Sequence, residues 1–259
     1  MTDERIIDLQ GVHNFRDYGG YAVPGGGRLR SGVFFRSGQH ARATQQDLVT
    51  IDALGIGTIF DLRGTSERRD YPCLRGDGFC ASVLFEEGET ASLPPHLRTN
   101  LSGLTEPEMI ERTKETYRGL PFRPALSAML RRYFASLAEG EGVNLIHCFA
   151  GKDRTGISVA LFHTLVGVHQ DDMLEDYLLT NVAHDRDRHM AEIGEFMSKR
   201  VGPMSEAALR VMTGVYPEWL DAAFDEISAK YGSLDTYFEQ GLGMDAAKRE
   251  AIRKRAIEG

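Results

Sequence analysis

The stretch Val143-Asn144-Leu145-Ile146-His147-Cys148-Phe149-Ala150-Gly151-Lys152-Asp153-Arg154-Thr155, continued by the apolar run from Ile157 to Val166, decides the architecture. Its first four residues form a short, mainly apolar stretch of strand length, and Ile157–Val166 is apolar almost all round, as expected of a buried helix. A buried strand therefore feeds a buried helix through a short loop. Cys148 falls at the carboxyl end of the strand and Arg154, six positions later, at the start of the helix.

That placement has chemical consequences. A strand–loop–helix turn points backbone N–H groups inward, and the helix N-terminus adds positive potential, so the loop is an anion cradle. The same surroundings favour a thiolate over a thiol, which makes Cys148 a nucleophile. Arg154 offers a planar fork matched to two oxygens of a phosphoryl group, which a lysine cannot imitate. Gly151 lets the chain turn where a side chain would obstruct the anion, and Phe149, Ala150, Lys152 and Asp153 complete the cradle. Thr155 is placed to put a hydroxyl near the sulfur, and His147 to orient the loop. The competing reading makes Cys148 one more small buried hydrophobe. Cysteine, five residues, arginine and threonine at a strand-to-helix junction form a compound signal that outweighs it.

Further out, Phe15-Arg16-Asp17-Tyr18-Gly19-Gly20 leads to a turn at Gly25-Gly26-Gly27, and Val33–Arg36 reads as a short strand. Thr44 with Asp47 is a capping-box pattern ahead of Leu48, Ile51 and Leu54 at helical spacing. Thr58-Ile59-Phe60 forms a buried strand ending in Asp61-Leu62-Arg63, and another strand is expected around Ala81–Phe85. Residues 86–121 contain Glu86-Glu87-Gly88-Glu89, Pro94-Pro95 and a capping box at Thr105 and Glu108; they read as a lid-like insertion or a surface connection. A helix over 124–138 puts Leu126, Met129, Leu130, Tyr133, Phe134 and Leu137 on one face. Beyond 168 the chain reads as wholly helical, with Tyr216, Trp219, Leu220, Ala223, Phe224 and Ile227 on one face after Pro217. The expected fold is α/β: a mainly parallel central sheet flanked by helices in a single domain over 1–259, with an insertion at 86–121 and a helical extension at 168–259.

With 42% hydrophobic and 26% charged residues, the composition is that of an ordinary globule. The net charge of −8 argues against nucleic acid as a partner, since neutralising a phosphate backbone needs a basic excess. No run of about 18 apolar residues suggests an integral membrane span, and no apolar segment of signal-peptide length opens the chain. Three cysteines, Cys73, Cys80 and Cys148, suit a reducing compartment, so a cytoplasmic location is expected. His184 and His189 are five apart, a poor fit to one helical face, and no metal site is expected of them. Cys73 and Cys80 read as packing residues, with a role as resolving thiols for an oxidised Cys148 as the alternative.

The loop resembles H-C-x5-R-[ST] of the protein tyrosine phosphatases. More narrowly, it is similar to the bacterial and fungal tyrosine and lipid phosphatase family whose loop reads H-C-x-x-G-K-D-R-[TA]. Asn14-Phe15-Arg16-Asp17-Tyr18-Gly19-Gly20, Phe35-Arg36-Ser37-Gly38, Asp61-Leu62-Arg63 with Glu67, Tyr231-Gly232-Ser233-Leu234 and Gly241-Leu242-Gly243 resemble further signatures of that family. The resemblance implies a cysteine-phosphatase fold and hydrolysis of phosphotyrosine through a phosphocysteine intermediate, with no cofactor. It also implies a phosphorylated protein or phospholipid as substrate and inhibition by phosphate analogues such as vanadate. Phosphoinositides or phosphoserine and phosphothreonine are the alternative substrates, and a non-catalytic phosphate-binding module is a third reading.

The leaving oxygen needs a proton donor. The single tryptophan, Trp219, sits in Pro217-Glu218-Trp219-Leu220, so the Trp-Pro-Asp motif of animal tyrosine phosphatases is missing. Two aspartates compete. Asp153 lies beside Arg154, where the resemblance also places an acidic residue. Asp61 ends a neighbouring strand, where ligand crevices of α/β sheets form. The reading adopted makes Asp153 the acid and lets Asp61 orient Lys152 or the substrate; an ion pair of Asp61 with Arg63 or Arg68 is the alternative. Lys152 is read as a point charge beside the anion, or else as balancing Asp153. Arg16 and Asp17 are read as bracing the loop, and Arg36 is open between the two roles.

Overall fold

Leu145 and Ile146 supply aliphatic side chains buried on the two faces of a pleated strand, Val143–His147, which forms the centre of a five-stranded sheet. The computed structural model describes residues 3–90, 104–140, 142–183, 186–202 and 204–259. In chain order the strands are β1 (Arg16–Asp17), β2 (Arg28–Leu29), β3 (Phe34–Ser37), β4 (Ile56–Asp61), β5 (Ser82–Leu84), β6 (Val143–His147) and β7 (Ile257–Glu258). The sheet order is β1-β3-β6-β4-β5; the last four are parallel and β1 is antiparallel to β3. The architecture is α/β with a mostly parallel sheet, as the sequence implies.

Period-two alternation splits the sheet's side chains between two cores. Phe34, Phe60 and Ile146 pack with Tyr133 and Phe162 on one face, while Phe35, Ile59 and Leu145 pack with Phe15, Leu48 and Ile51 on the other. The helices are α1 (Gln45–Ala53), α2 (Thr65–Asp70), α3 (Glu106–Gly119), α4 (Pro124–Glu139), α5 (Asp153–Val166), α6 (Gln170–Leu178), α7 (Arg186–Val201), α8 (Glu206–Thr213), α9 (Pro217–Tyr231), α10 (Leu234–Thr236) and α11 (Ala246–Ala256). The six apolar residues expected on one face of α4 are all buried, Phe134 fully so. Truncating Phe134 to alanine would cost about 3–5 kcal/mol. Thr44 and Asp47 form the expected reciprocal cap of α1, and Gly167, at φ +93°, stops α5 in a left-handed turn.

Two expectations need correction or restriction. The stretch after 168 is not wholly helical: it ends in β7, which pairs antiparallel with β2. A two-residue strand carries too little alternation to be read from sequence. Within 86–121, residues 91–103, including Pro94-Pro95, lie outside the described residues. The rest contains α3, which packs on α8 and α9 and receives a hydrogen bond at the Ile110 carbonyl from Trp219 Nε1 at 3.0 Å. Among the described residues, no helix is long and apolar enough to cross a membrane.

Register sets the site. Ser37 and Asp61 both lie level with His147, so β3, β6 and β4 end together. The chain therefore delivers Gly38, Cys148 and Leu62 to one edge, the carboxyl edge where α/β sheets bind ligands.

Candidate active site

The loop between β6 and α5 is fixed by its backbone. Gly151 has φ +67°, and a Cβ there would lie 2.4 Å from the Ser37 carbonyl carbon and oxygen, so glycine is required both for conformation and for space. The Phe149 carbonyl accepts the Gln39 N–H at 2.9 Å. The Gly151 carbonyl accepts Asn14 Nδ2 at 2.7 Å and Arg36 Nη2 at 3.1 Å.

Cys148 lines a cavity of about 260 Å³, together with Phe149, Ala150, Lys152, Asp153 and Arg154. The sequence thus identified a contiguous loop that the fold brings to one pocket. Arg154 is gripped by Glu67 at two points, Nη1 to Oε2 at 2.5 Å and Nη2 to Oε1 at 2.9 Å, and Nη1 also donates to Thr90 Oγ1 at 2.8 Å. Burial opposes the charge on Arg154, but Glu67 and Cys148 outweigh it and hold the guanidinium more firmly protonated than usual. Burial likewise raises the Glu67 carboxyl, and Arg154 reverses this and takes it below the ordinary range. Thr155 is fully buried, and its hydroxyl has no hydrogen-bond partner among the described residues.

Asp153 and Asp61 occupy different settings. Asp153 lines the cavity, and its Oδ1 accepts the Tyr117 hydroxyl at 2.7 Å; Tyr117 in turn accepts the Tyr177 hydroxyl at 2.8 Å. Asp61 does not line the cavity. It accepts Arg63 Nε at 2.9 Å and Nη2 at 2.7 Å, and lies 3.8 Å from His147 Nε2. Burial raises the Asp61 carboxyl, but His147 and Arg63 together hold it well below the usual carboxylate range. The ion pair with Arg63 is the one weighed from sequence; contact with Lys152 is not made.

Lys152 pairs with Asp153, the alternative weighed for it, but does so from a buried position. Its ammonium donates to the Met212 carbonyl at the end of α8 at 2.6 Å, sits 3.4 Å from Asp153 Oδ1 and lies 5.2 Å from the Trp219 ring centroid. His147 contacts the Cys148 carbonyl through Nδ1 at 3.2 Å and stacks on His40 at 5.4 Å. Burial pulls the His147 imidazole down to about 4.

The cavity walls come from α3 (Met109, Thr113, Thr116, Tyr117), Leu120, α7 (Ile193, Met197) and α8 (Met212), with Arg112 and Arg123 among the lining residues. Tyr117, Tyr177 and Thr90 escaped the sequence reading, because aromatics at helical spacing look like core and a lone threonine carries no pattern. Asp176 escaped it too, although a signal existed: it shares with Met173 and Tyr177 the helical spacing that points inward, and a charge there demands a partner. Cys73 accepts the His40 N–H at 3.4 Å, while Cys80 is exposed.

His184 lies outside the described residues. His189 meets His13 and Glu192 instead, with donor atoms within 4.8 Å of one another. Glu192 already takes His13 Nε2 at 2.9 Å, Arg42 at 3.1 Å and Arg188 at 3.2 Å. Two guanidiniums on the one carboxylate offset the negative charge that a cation would need.

Comparison with known proteins adds the lineage. The model of the tyrosine phosphatase family matches residues 7–258. The chain is 33% identical over 244 residues to a Cupriavidus necator protein provisionally named a tyrosine-protein phosphatase, covering 92% of this chain and 84% of that one. It is 33% identical over 276 residues to the triple specificity protein phosphatase PtpB of Mycobacterium tuberculosis, covering 94% and 97%. A tyrosine-protein phosphatase of Nostoc commune is 28% identical over 150 residues, covering 57% and 48%.

Proposed function

This chain belongs to the tyrosine phosphatase family, and we propose that, as one catalytic domain, it hydrolyses phosphotyrosine through a phosphocysteine intermediate on Cys148 with no metal. The observation that carries the reading is the presence, in the lining of one cavity, of Cys148 with an Arg154 guanidinium oriented by the two-point grip of Glu67.

In the first step the Cys148 thiolate attacks phosphorus. The S–P bond forms as the P–O bond to the leaving group breaks, and Asp153 gives its proton to the departing oxygen. Loop N–H groups and the Arg154 fork hold the equatorial oxygens, where charge is concentrated in phosphoryl transfer. In the second step water attacks the phosphocysteine, Asp153 takes its proton, the S–P bond breaks and orthophosphate leaves. Asp61 is unsuited to the acid's role: its carboxyl is held ionised by Arg63 and lies outside the cavity lining. Thr155, with an uncommitted buried hydroxyl beside the loop, suits assistance to the departing thiolate.

A second reading keeps the chemistry and changes the substrate to phosphoinositides or phosphoserine and phosphothreonine. It is favoured by the apolar walls at Met109, Leu120, Ile193, Met197 and Met212, since methionines adapt to varied surfaces, with Arg123 close by to meet a further phosphate. The relative from M. tuberculosis is itself named for triple specificity.

The deciding experiment is a panel of phosphotyrosine peptide, phosphoserine peptide and inositol phospholipid, run with wild type and Cys148→Ser, together with acid-quenched trapping of the phosphoenzyme and vanadate inhibition. Turnover of phosphotyrosine peptide and a trapped species, both lost in Cys148→Ser, are expected. Equal turnover by Cys148→Ser, or phosphate binding without turnover in the wild type, overturns the proposal. Faster lipid turnover selects the second reading.

A further inference from the structure

Beneath the loop, away from the cavity, lies a fully buried charged cluster that the two-step chemistry does not use. Arg16 and Arg36 are both 0% exposed and share one carboxylate, Asp176, itself 1% exposed. Arg36 Nη1 meets Asp176 Oδ2 at 2.6 Å, and Arg16 Nε meets Oδ1 at 3.2 Å. Arg16 Nη2 also donates to the Asp176 backbone carbonyl at 2.8 Å, which fixes the guanidinium in orientation as well as position.

Two arms run from this carboxylate to one atom. In the first, Arg36 Nη2 donates directly to the Gly151 carbonyl. In the second, Arg16 Nη1 donates to Asn14 Oδ1, so the Asn14 amide must turn its Nδ2 end to the Gly151 carbonyl. Asn14 is itself held in the left-handed region, at φ +60°, a conformation asparagine tolerates better than most residues. Two side chains, Asn14 and Arg36, thus converge on a single loop oxygen, both tied back to Asp176.

The consequence follows from peptide geometry. The 151–152 peptide is trans, as are all the described peptides, and in a trans peptide the C=O and the following N–H point in opposite directions. Asn14 and Arg36 hold the Gly151 carbonyl, and neither they nor Gly151 belong to the lining of the cavity, whereas Cys148, Lys152 and Arg154 do. By that geometry the Lys152 N–H faces the opposite way, and Lys152 is a lining residue of the cavity. Two guanidiniums against one carboxylate also leave an uncompensated positive charge under the loop, in surroundings dry enough for it to be felt.

We infer that Asp176, acting through Arg36 and through Arg16 and Asn14, is a positioning residue that aims the Lys152 N–H into the oxyanion cradle. This rests on the proposed phosphatase reading and adds to it a residue on α6, the helix that follows α5. Asp176 touches neither substrate nor thiol; it sets which face of the 151–152 peptide the substrate meets. The acceptor side is as constrained as the donor side, because no residue with a Cβ fits at 151.

The test compares Asn14→Ala, Asn14→Asp, Arg36→Lys and Asp176→Asn with wild type. It measures vanadate Kd by calorimetry, kcat and KM on an aryl phosphate, and thermal unfolding. Asn14→Ala is expected to fold and to lose roughly tenfold in vanadate affinity, the scale of one hydrogen bond to a charged group. Asn14→Asp, which sets an acceptor against the Gly151 carbonyl, is expected to lose more, although it is the better isostere. Arg36→Lys keeps the charge and one donor and is expected to lose less than Asp176→Asn. If Asp176→Asn fails to fold, the two Asn14 variants decide. Vanadate Kd and kcat within twofold of wild type in folded Asn14→Ala and Asn14→Asp overturn the inference, as does a drop in melting temperature alone. Failure of the phosphatase reading itself would look different: wild type would bind vanadate without turnover, or Cys148→Ser would be as active as wild type.

Discussion

The Tyr117 hydroxyl donates to Asp153 Oδ1 at 2.7 Å, across 36 positions of sequence, and so joins α3 to the first turn of α5. Tyr117 is fully buried and takes the Tyr177 hydroxyl as its own donor. Its proton is therefore committed to the aspartate, and the carboxyl is held in one orientation at the cavity edge. The residue that closes the proposed acid's geometry belongs to the segment that looked least like core.

Tyr117→Phe removes that hold and leaves the ring in place. With leaving groups that need a proton, such as an alkyl phosphate, kcat is expected to fall by about tenfold, within the range that general acid catalysis contributes. With p-nitrophenyl phosphate, whose leaving group departs without help, kcat is expected to stay within about threefold. Stability is expected to drop by about 1–3 kcal/mol, because the Tyr177 hydroxyl loses its acceptor in a buried place. An equal loss on both substrates would make Tyr117 a packing residue only.

The two aspartates separate by the same logic. Asp153→Asn is expected to lower kcat on alkyl phosphates by about a hundredfold or more and to remove the alkaline limb of the pH–rate profile. Asp61→Asn leaves the Arg63 guanidinium buried without its charge partner, so the expected effect is on folding, on the order of 3–5 kcal/mol. Its pH–rate profile should keep the wild-type shape. A flattened alkaline limb in Asp61→Asn, with a normal one in Asp153→Asn, would reverse the assignment.

Lys152 is bonded to the end of α8 rather than turned to the loop centre. Lys152→Met keeps much of the apolar stem and loses the ammonium. Faster hydrogen exchange over 206–213 is expected, with vanadate Kd changed by less than about threefold, since the loop contributes its backbone N–H at this position and not the side chain. A tenfold loss of vanadate affinity with unchanged exchange would restore the side chain as an anion ligand.

What sequence made legible here follows from distance along the chain. Cys148, Gly151 and Arg154 lie on one short unbroken stretch, so strand, loop and helix periodicity place them without any knowledge of the rest. The parallel sheet was legible for the same reason, because Thr58–Phe60 and Val143–Ile146 are short, mainly apolar stretches that end in polar or nucleophilic residues. The grip on Arg154 by Glu67 spans 87 positions, and that of Lys152 on Met212 spans 60. Such contacts depend on how α2 and α8 settle against the sheet, and local periodicity says nothing of that. Tyr117 was hidden differently: its hydroxyl works while its ring packs, and the sequence pattern reports only the ring.

Acid sensitivity gives the remaining prediction. His40 and His147 stack at 5.4 Å and are both fully buried. Burial pulls His147 down to about 4 against the opposing pull of Asp61, and takes His40 well below its ordinary value, helped by His147; the guanidiniums of Arg63 and Arg75 disfavour charge on both rings. In the unfolded chain both rings titrate near 6.5. Between about pH 6.5 and pH 4 the unfolded state therefore binds more protons than the folded state, and stability falls as pH falls. The contribution is complete above about pH 6.5 and declines by roughly 1.4 kcal/mol per pH unit for each ring. The carboxylates Asp61, Glu67 and Asp176, all lowered in the folded protein, add their losses only below about pH 4, where they begin to protonate in the unfolded chain. Urea unfolding at pH 7.5, 6.0 and 5.0 should show a midpoint that already drops between the last two. His40→Gln, which keeps a donor for Ser37 Oγ, should flatten that part of the curve by about one proton's worth. A wild-type midpoint unchanged from pH 7.5 to 5.0 would mean that the rings open to water, or find acceptors, before the chain unfolds.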